Sequence, residues 1–182
     1  MEIIKKYTKG LYVIKPKIFE DNRGYFMESY QKKAFEDLGL EADFIQDNES
    51  YSKKGVIRGL HFQNPPFAQI KLVRVISGSV LDVAVDIRKG SPTYGQWFGE
   101  ILSAENKLMF WIEEGFAHGF QVLEDNTIFQ YKCSDFYNKK SEDSLLWNDI
   151  DINIKWKNID TIISNKDFEA GTFKNFKSNF EY

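Results

Sequence analysis

Apolar residues along this chain recur mostly at every second position. From Ser79 to Ile87 the alternation sets Leu81, Val83, Val85 and Ile87 on one face and Asp82, Ala84 and Asp86 on the other, which is the period of a β-strand. Further strands are predicted over 11–15, 43–50, 56–62, 69–76, 96–103, 107–112, 119–123, 127–133 and 152–156. Turn signals separate them: Ser77-Gly78, Lys89-Gly90-Ser91-Pro92, Glu114-Gly115 and Glu124-Asp125-Asn126. Only Gln31 to Leu38 has helical character, with Phe35 and Leu38 three apart. Many short strands without alternating helices predict an all-β sandwich or barrel. No repeat, low-complexity tract or linker interrupts the pattern, so one domain over 1–182 is expected. Its polar, weakly periodic stretch 157–182 is expected to wrap the barrel.

Composition narrows the function classes. A length of 182 residues suits one core. A net charge of −3 offers no footprint for a polyanion, so no nucleic-acid partner is expected. The start, MEIIKKYTKG, lacks an apolar signal region, and no apolar run approaches a membrane span. A soluble, cytoplasmic protein with no membrane partner is expected. The single cysteine, Cys133, fits a reducing compartment. Two histidines and one thiol leave few ways to build a zinc or iron site, so no metal is expected. Aromatic residues make up 16% of the chain, which favours strands and supplies faces for sugar or base stacking, although most such rings fill cores.

Both histidines sit in dense chemical company. His61 lies in Arg58-Gly59-Leu60-His61-Phe62-Gln63 and His118 in Gly115-Phe116-Ala117-His118-Gly119-Phe120. A lone strand histidine is more often structural than catalytic. Here Arg58, His61 and Lys71 fall close together on strands expected to be adjacent, about 5 Å apart, which would point His61 and Lys71 into one cavity. The residues alone do not select Asp167 over Asp82 or Asp86, nor Tyr131 over Tyr137 as an acid. On the same footing Lys71 reads as an edge-strand lysine, Arg23-Gly24 as a turn and Glu142 as a solvated acid.

Ordered motifs add a family. Phe19-Glu20-Asp21-Asn22-Arg23-Gly24-Tyr25-Phe26-Met27-Glu28, Gln46-Asp47-Asn48-Glu49-Ser50-Tyr51-Ser52 and the segments around His61 and His118 resemble the dTDP-4-dehydrorhamnose 3,5-epimerases. So do Asp86-Ile87-Arg88, Ser91-Pro92-Thr93, Trp111-Ile112 and Trp147-Asn148-Asp149. The resemblance runs from about Leu11 to Asp167. It implies a cupin-like antiparallel β-jelly roll with a few short peripheral helices, usually a homodimer, and a cofactor-independent inversion of C3 and C5 in a nucleotide-linked 4-keto-6-deoxy sugar. Both carbons flank the C4 ketone, so enolate formation acidifies their protons.

The resemblance implies His61 as the base, Asp167 as its carboxylate partner, Lys71 at the enolate oxygen and Tyr131 as the acid on the opposite face. It implies substrate contacts for Arg58, at the diphosphate, and for Gln46, Asn48, His118, Tyr137, Glu142 and Lys166. Arg23, Phe26 and Glu28 are implied to hold the nucleotide of the neighbouring subunit. Glu113 and Lys157 stand where the family commonly has proline, and the loop from Asn64 to Phe67 falls where members vary. The catalytic residues do not separate relatives that epimerise only C3 or only C5, or that act on GDP-linked 4-keto heptoses, because the resemblance implies that His61 and Tyr131 serve all of them, while Phe26 and Glu28 favour dTDP. A metal-dependent cupin is disfavoured because no second histidine follows His61 at short range. A non-catalytic sugar-binding jelly roll would not need the set Arg58, His61, Lys71 and Tyr131.

Overall fold

The period-two stretches pair into antiparallel sheets in the computed structural model, which describes residues 1–182. In chain order the first strands are β1 (Glu2–Thr8), β2 (Leu11–Lys15), β3 (Ile18–Asp21) and β4 (Gly24–Met27), followed by helix α1 (Lys32–Glu36). Next come β5 (Gln46–Ser52), β6 (Ile57–Gln63), β7 (Lys71–Ser77), β8 (Ser79–Asp86) and β9 (Arg88–Lys89). Then follow β10 (Trp97–Ser103), β11 (Met109–Ile112), β12 (Phe116–Val122), β13 (Thr127–Cys133) and β14 (Glu142–Ser144). Helix α2 (Asn165–Phe168) and β15 (Phe180–Glu181) complete the order. One sheet runs β1-β2-β11-β7-β13-β5 and the other β10-β8-β12-β6-β14, with β3-β4 a separate hairpin and β15 parallel to β9. This is the all-β, cupin-like jelly roll.

Three apolar layers explain why these residues take these places. Between the sheets, Val73, Val75, Phe110 and Phe129 of one meet Val80, Ala84, Phe116 and Phe120 of the other. Outside the five-stranded sheet, Leu81, Val83, Val85 and Ala117 are covered by Ile152, Phe173, Phe176 and Phe180 of the C-terminal stretch. Outside the six-stranded sheet, Leu72, Met109 and Trp111 are covered by Phe35 and Leu40, with the Phe35 and Trp111 rings stacked at 5.7 Å. β8 is therefore buried on both faces. Its aliphatic phase lies outward under the C-terminal stretch, and the phase holding Asp82 and Ala84 turns inward. Removing apolar area from water at roughly 25 cal/mol per Å² makes such doubly covered strands the strongest part of the fold.

Several conspicuous motif residues serve this frame. Asp86 accepts from Arg88 at 2.7 and 2.9 Å, from Ser91 at 2.6 Å and from Thr93 at 2.7 Å. Asp149 accepts from the Ile152 N–H at 3.1 Å and the Phe173 N–H at 2.8 Å, tying the loop to the covering segment. Bridges Val56–Ile162 and Leu145–Gly171 anchor that segment further.

The expected strand at 152–156 does not form. Asn153 adopts φ +54 and the segment turns around Asp149, although Ile152, Ile154 and Trp156 still pack inward. β1, the hairpin β3-β4 and β14 were not expected; β1 is a lysine-bearing edge and β14 has only three residues. No helix is long and apolar enough to cross a membrane.

Candidate active site

A cleft of about 660 Å³ is walled by both sheets and roofed by the C-terminal stretch. β6 supplies Arg58 and His61, β12 supplies His118 and Phe120, and the facing sheet supplies Asn48, Lys71, Phe129 and Tyr131. The roof contributes Ile162, Ile163, Ser164, Lys166 and Asp167. A second lobe of about 370 Å³ shares Asn48, His61, Lys71 and Tyr131 and adds Gln46, Gln63, Gln69, Cys133, Tyr137 and Glu142. His61 and Lys71 thus line one cleft, but not from adjacent strands. β6 pairs with β12 and β14, and β7 with β11 and β13, so the two side chains face each other from different sheets. Chain proximity misled here because the β6–β7 connection crosses between the sheets rather than closing a hairpin.

Two glycines set the aim of both imidazoles. His61 and His118 are directly opposed on β6 and β12, and opposed residues share a face. A register shift follows between His118 and Phe120. There a Cβ on Gly59 would sit 2.5 Å from the Gly119 Cα, and one on Gly119 would sit 2.8 Å from the Arg58 carbonyl oxygen. Gly59 also holds φ +122, a conformation open to glycine and costly for other residues.

His61 Nε2 lies 2.6 Å from Asp167 Oδ1. Asp167 rides on α2, whose first turn is capped by the Ser164 hydroxyl accepting from the Asp167 N–H at 3.1 Å. The Gly59 N–H donates to the other carboxylate oxygen at 3.4 Å. Burial pushes the Asp167 carboxyl up, but the His61 hydrogen bond and charge, with the Gly59 N–H, outweigh it and hold the group below its ordinary value. With Nε2–H donating to that carboxylate, the lone pair of the ring is left on Nδ1.

Across the cleft stand an ammonium and a phenol, both half-buried. Burial pulls the Lys71 ammonium below its ordinary value, against the opposing effects of Cys133, Asp82 and Glu142. Burial raises the Tyr131 phenol, Cys133 adds to this and Arg58 works against it. The phenol is therefore a proton donor at neutral pH. Arg58 gives its Nε and one Nη to Ser52 Oγ at 3.3 and 3.2 Å, two of its five N–H donors. In the second lobe Glu142 pairs with Lys166 at 2.6 Å and accepts from the Tyr137 hydroxyl at 3.0 Å. Burial pushes the Glu142 carboxyl up, but these partners prevail and lower it, while the same bond to Glu142 raises the exposed Tyr137 phenol.

The cleft thus gathers Gln46, Asn48, Arg58, His61, Lys71, His118, Tyr131, Tyr137, Glu142, Lys166 and Asp167. It does not gather Arg23, Phe26 or Glu28. Arg23 and Phe26 line a separate hollow on the β3-β4 hairpin, where Arg23 pairs with Asp21 at 2.5 Å, and Glu28 lies exposed beyond it. Two groups escaped the sequence reading. Cys133 is buried opposite Lys71 and takes a long contact, 3.7 Å, from the Asn48 amide. Asp82 is wholly buried beside His118. An acid on the inward phase of a strand whose neighbours are all apolar is a signal for such a partner. No group of three or more His, Cys, Asp or Glu side chains converges as a metal would require. The arrangement is suited to carbon-acid chemistry: an oriented imidazole on one wall, a phenol and an ammonium on the other.

The family model for dTDP-4-dehydrorhamnose 3,5-epimerase matches residues 5–175. The chain belongs to the dTDP-4-dehydrorhamnose 3,5-epimerase family. It is 52% identical over 174 residues to the dTDP-4-dehydrorhamnose 3,5-epimerase of Shigella flexneri, covering 95% of this chain and 96% of that one. The Legionella pneumophila dTDP-6-deoxy-D-glucose-3,5-epimerase, solved in complex with dTDP-4-keto-L-rhamnose, superposes with a TM-score of 0.95 at 48% identity. That match covers all of this chain and 98% of the other. A 3'-monoepimerase from Streptomyces bikiniensis, in complex with dTDP-quinovose, matches at 31% identity and a TM-score of 0.86, covering 92% and 85%. Proteins named as 3,5-epimerase and as 3'-monoepimerase thus share this scaffold.

Proposed function

We propose that this isomerase inverts C3 and C5 of dTDP-4-dehydro-6-deoxy-glucose to give dTDP-4-dehydro-L-rhamnose, and that His61, Asp167, Lys71 and Tyr131 carry the chemistry. The observation that carries the assignment is the oriented pair His61–Asp167 facing Tyr131 across one cleft. His61 removes the proton from the carbon beside the C4 ketone, and the C–H electron pair moves into an enolate. Lys71 donates to the enolate oxygen. Tyr131 then delivers a proton to the same carbon from the opposite face, and the imidazolium and phenolate reset through solvent. The second carbon repeats the cycle. A base worth roughly 10²–10⁴ and one oxyanion partner worth roughly 10²–10³ together lower the barrier by about 5–10 kcal/mol. Positioning of the bound sugar supplies more.

Arg58 suits the diphosphate, since a guanidinium meets two oxygens at once. Gln46, Asn48, His118, Tyr137, Glu142 and Lys166 provide further contacts to the nucleotide sugar. Arg23, Phe26 and Glu28 stand apart from this chain's own cleft, which favours a homodimer in which the hairpin of one subunit completes the nucleotide site of the other. Incubation with dTDP-4-dehydro-6-deoxy-glucose in D₂O tests the assignment. Deuterium is expected at both C3 and C5. Deuterium at C3 alone would make the protein a single-site epimerase, and no exchange at either carbon would sink the epimerase reading.

A further inference from the structure

His118 turns its Nε2 toward Asp82, whose two carboxylate oxygens lie 2.9 and 3.0 Å away. Near-equal distances suit one N–H pointing between the oxygens of an ionised carboxylate. A carboxylic acid would instead aim its proton from one oxygen and leave the other against a lone pair. Asp82 is 0% exposed, and His118 is its one hydrogen-bond partner. Burial pushes the Asp82 carboxyl up, while His118 and the Lys71 charge work against that. The ring of His118 lies nearly parallel to Phe129, at 6.3 Å and 21°, and close to Phe120, so its orientation is fixed by packing. Its other nitrogen, Nδ1, has no partner within the chain and is not sealed away, and the residue lines the cleft.

We propose that Asp82 is a positioning residue: by accepting the Nε2 proton it fixes His118 in the neutral tautomer whose Nδ1 lone pair faces the cleft and accepts a hydrogen bond from a hexose hydroxyl. The identity of the hydroxyl's owner rests on the epimerase assignment; the tautomer does not. A buried carboxylate with a single partner is costly to keep unless that partner gains something from it. What it gains is direction, because either tautomer is open to a free imidazole and only one presents an acceptor to the sugar. Asparagine at position 82 would offer both a donor and an acceptor at similar reach and so would no longer dictate the tautomer.

Long-range ¹H–¹⁵N correlation spectra of the whole protein without substrate read the tautomer directly. In the wild type His118 is expected to carry its proton on Nε2, and in Asp82→Asn to populate both forms. In the same variant kcat/KM for deuterium exchange is expected to fall about 10- to 100-fold, as for a lost hydrogen bond to a buried polar group. Affinity for dTDP, which lacks the hexose, should stay within about threefold. A wild-type His118 protonated on Nδ1, or an Asp82→Asn protein that keeps both tautomer and rate, would overturn the proposal. If the wild type exchanges no sugar nucleotide, the epimerase assignment falls, and the spectra still test Asp82: a wild-type His118 protonated on Nδ1 overturns its role even where the variant does not fold.

Discussion

Two histidine–carboxylate pairs share one cleft, and they are built in opposite ways. His118 and Asp82 lie on neighbouring strands of one sheet, 36 residues apart in the chain; Asp82 is sealed in the interior and His118 is buried except where it lines the cleft. His61 sits on the next strand with about a third of its side chain exposed, and its carboxylate comes from a short helix 106 residues later. The first pair is held by the sheets themselves. The second depends on the C-terminal stretch reaching across the cleft, through the Val56–Ile162 bridge and the Ser164 cap. A group that must exchange protons with substrate and solvent needs access, and a group that only directs a hydrogen bond gains from being immobile. The contrast supports the proposed division, with proton transfer at the His61 pair and orientation at the His118 pair.

The largest expected effect lies in the exposed pair. Asp167→Asn should reduce the rate of deuterium exchange by about 10²- to 10⁴-fold, because the imidazole loses both its tautomer control and its counter-charge. That loss should exceed the one from Asp82→Asn; the reverse order would break the assignment of roles. The same carboxylate also has a stability signature. Its folded pKa is depressed, so its contribution is complete above the ordinary aspartate pKa near about 4 and is lost as pH falls through the lower folded value. Denaturation midpoints of wild type and Asp167→Asn should therefore differ at neutral pH and converge on acidification.

A middle-sized effect tests what the two pairs share. Gly119 lies on β12 against β6, and a Cβ there would approach the Arg58 carbonyl oxygen at 2.8 Å and Leu60 Cδ2 at 3.1 Å. Gly119→Ala should push the two histidine-bearing strands apart at a cost of about 1–3 kcal/mol, typical of overpacking in a close-packed interior. Thermal unfolding measures the cost, and the spectra that report the His118 tautomer reveal whether the strand shift reaches the buried pair. Unchanged stability would mean that the close approach at these glycines does not hold the strands in register.

How much of this was legible in the sequence follows the same division. β8 could be read because alternation survives where one phase, Leu81, Val83 and Val85, is aliphatic and the other carries Asp82 and Asp86. The layering could not be read: β8 looks half-buried by its pattern, yet Asp82 points inward and the aliphatic phase is covered from outside by Ile152, Phe173, Phe176 and Phe180, far along the chain. Assigning β6 and β7 to different sheets likewise requires knowing which strands pair, and local pattern is silent on that. His61 stood out through its neighbours Arg58 and Lys71. Asp167 did not, since nothing local separates a helix-capping acid from one that reaches across a cleft. It was reached only through the family resemblance.

The smallest effect probes how α2 is held. Lys166 pairs with Glu142 at 2.6 Å, but its side chain is about half exposed, so the pair contributes little to stability. Lys166→Ala should change stability by under about 1 kcal/mol. With Asp167 still capped by Ser164 and bonded to His61 and Gly59, kcat for exchange should remain within about threefold. KM should rise by several-fold, because the ammonium is lost from the wall of the nucleotide-sugar site. Steady-state exchange kinetics separate the two constants. A fall in kcat as deep as that of Asp167→Asn would show that the ion pair, rather than the cap and the His61 bond, places the carboxylate. The exposed pair would then be a dependent of the second lobe, and its contrast with the sheet-bound pair would be sharper still: one positioned by the core, the other by a surface salt bridge that screening by salt would weaken.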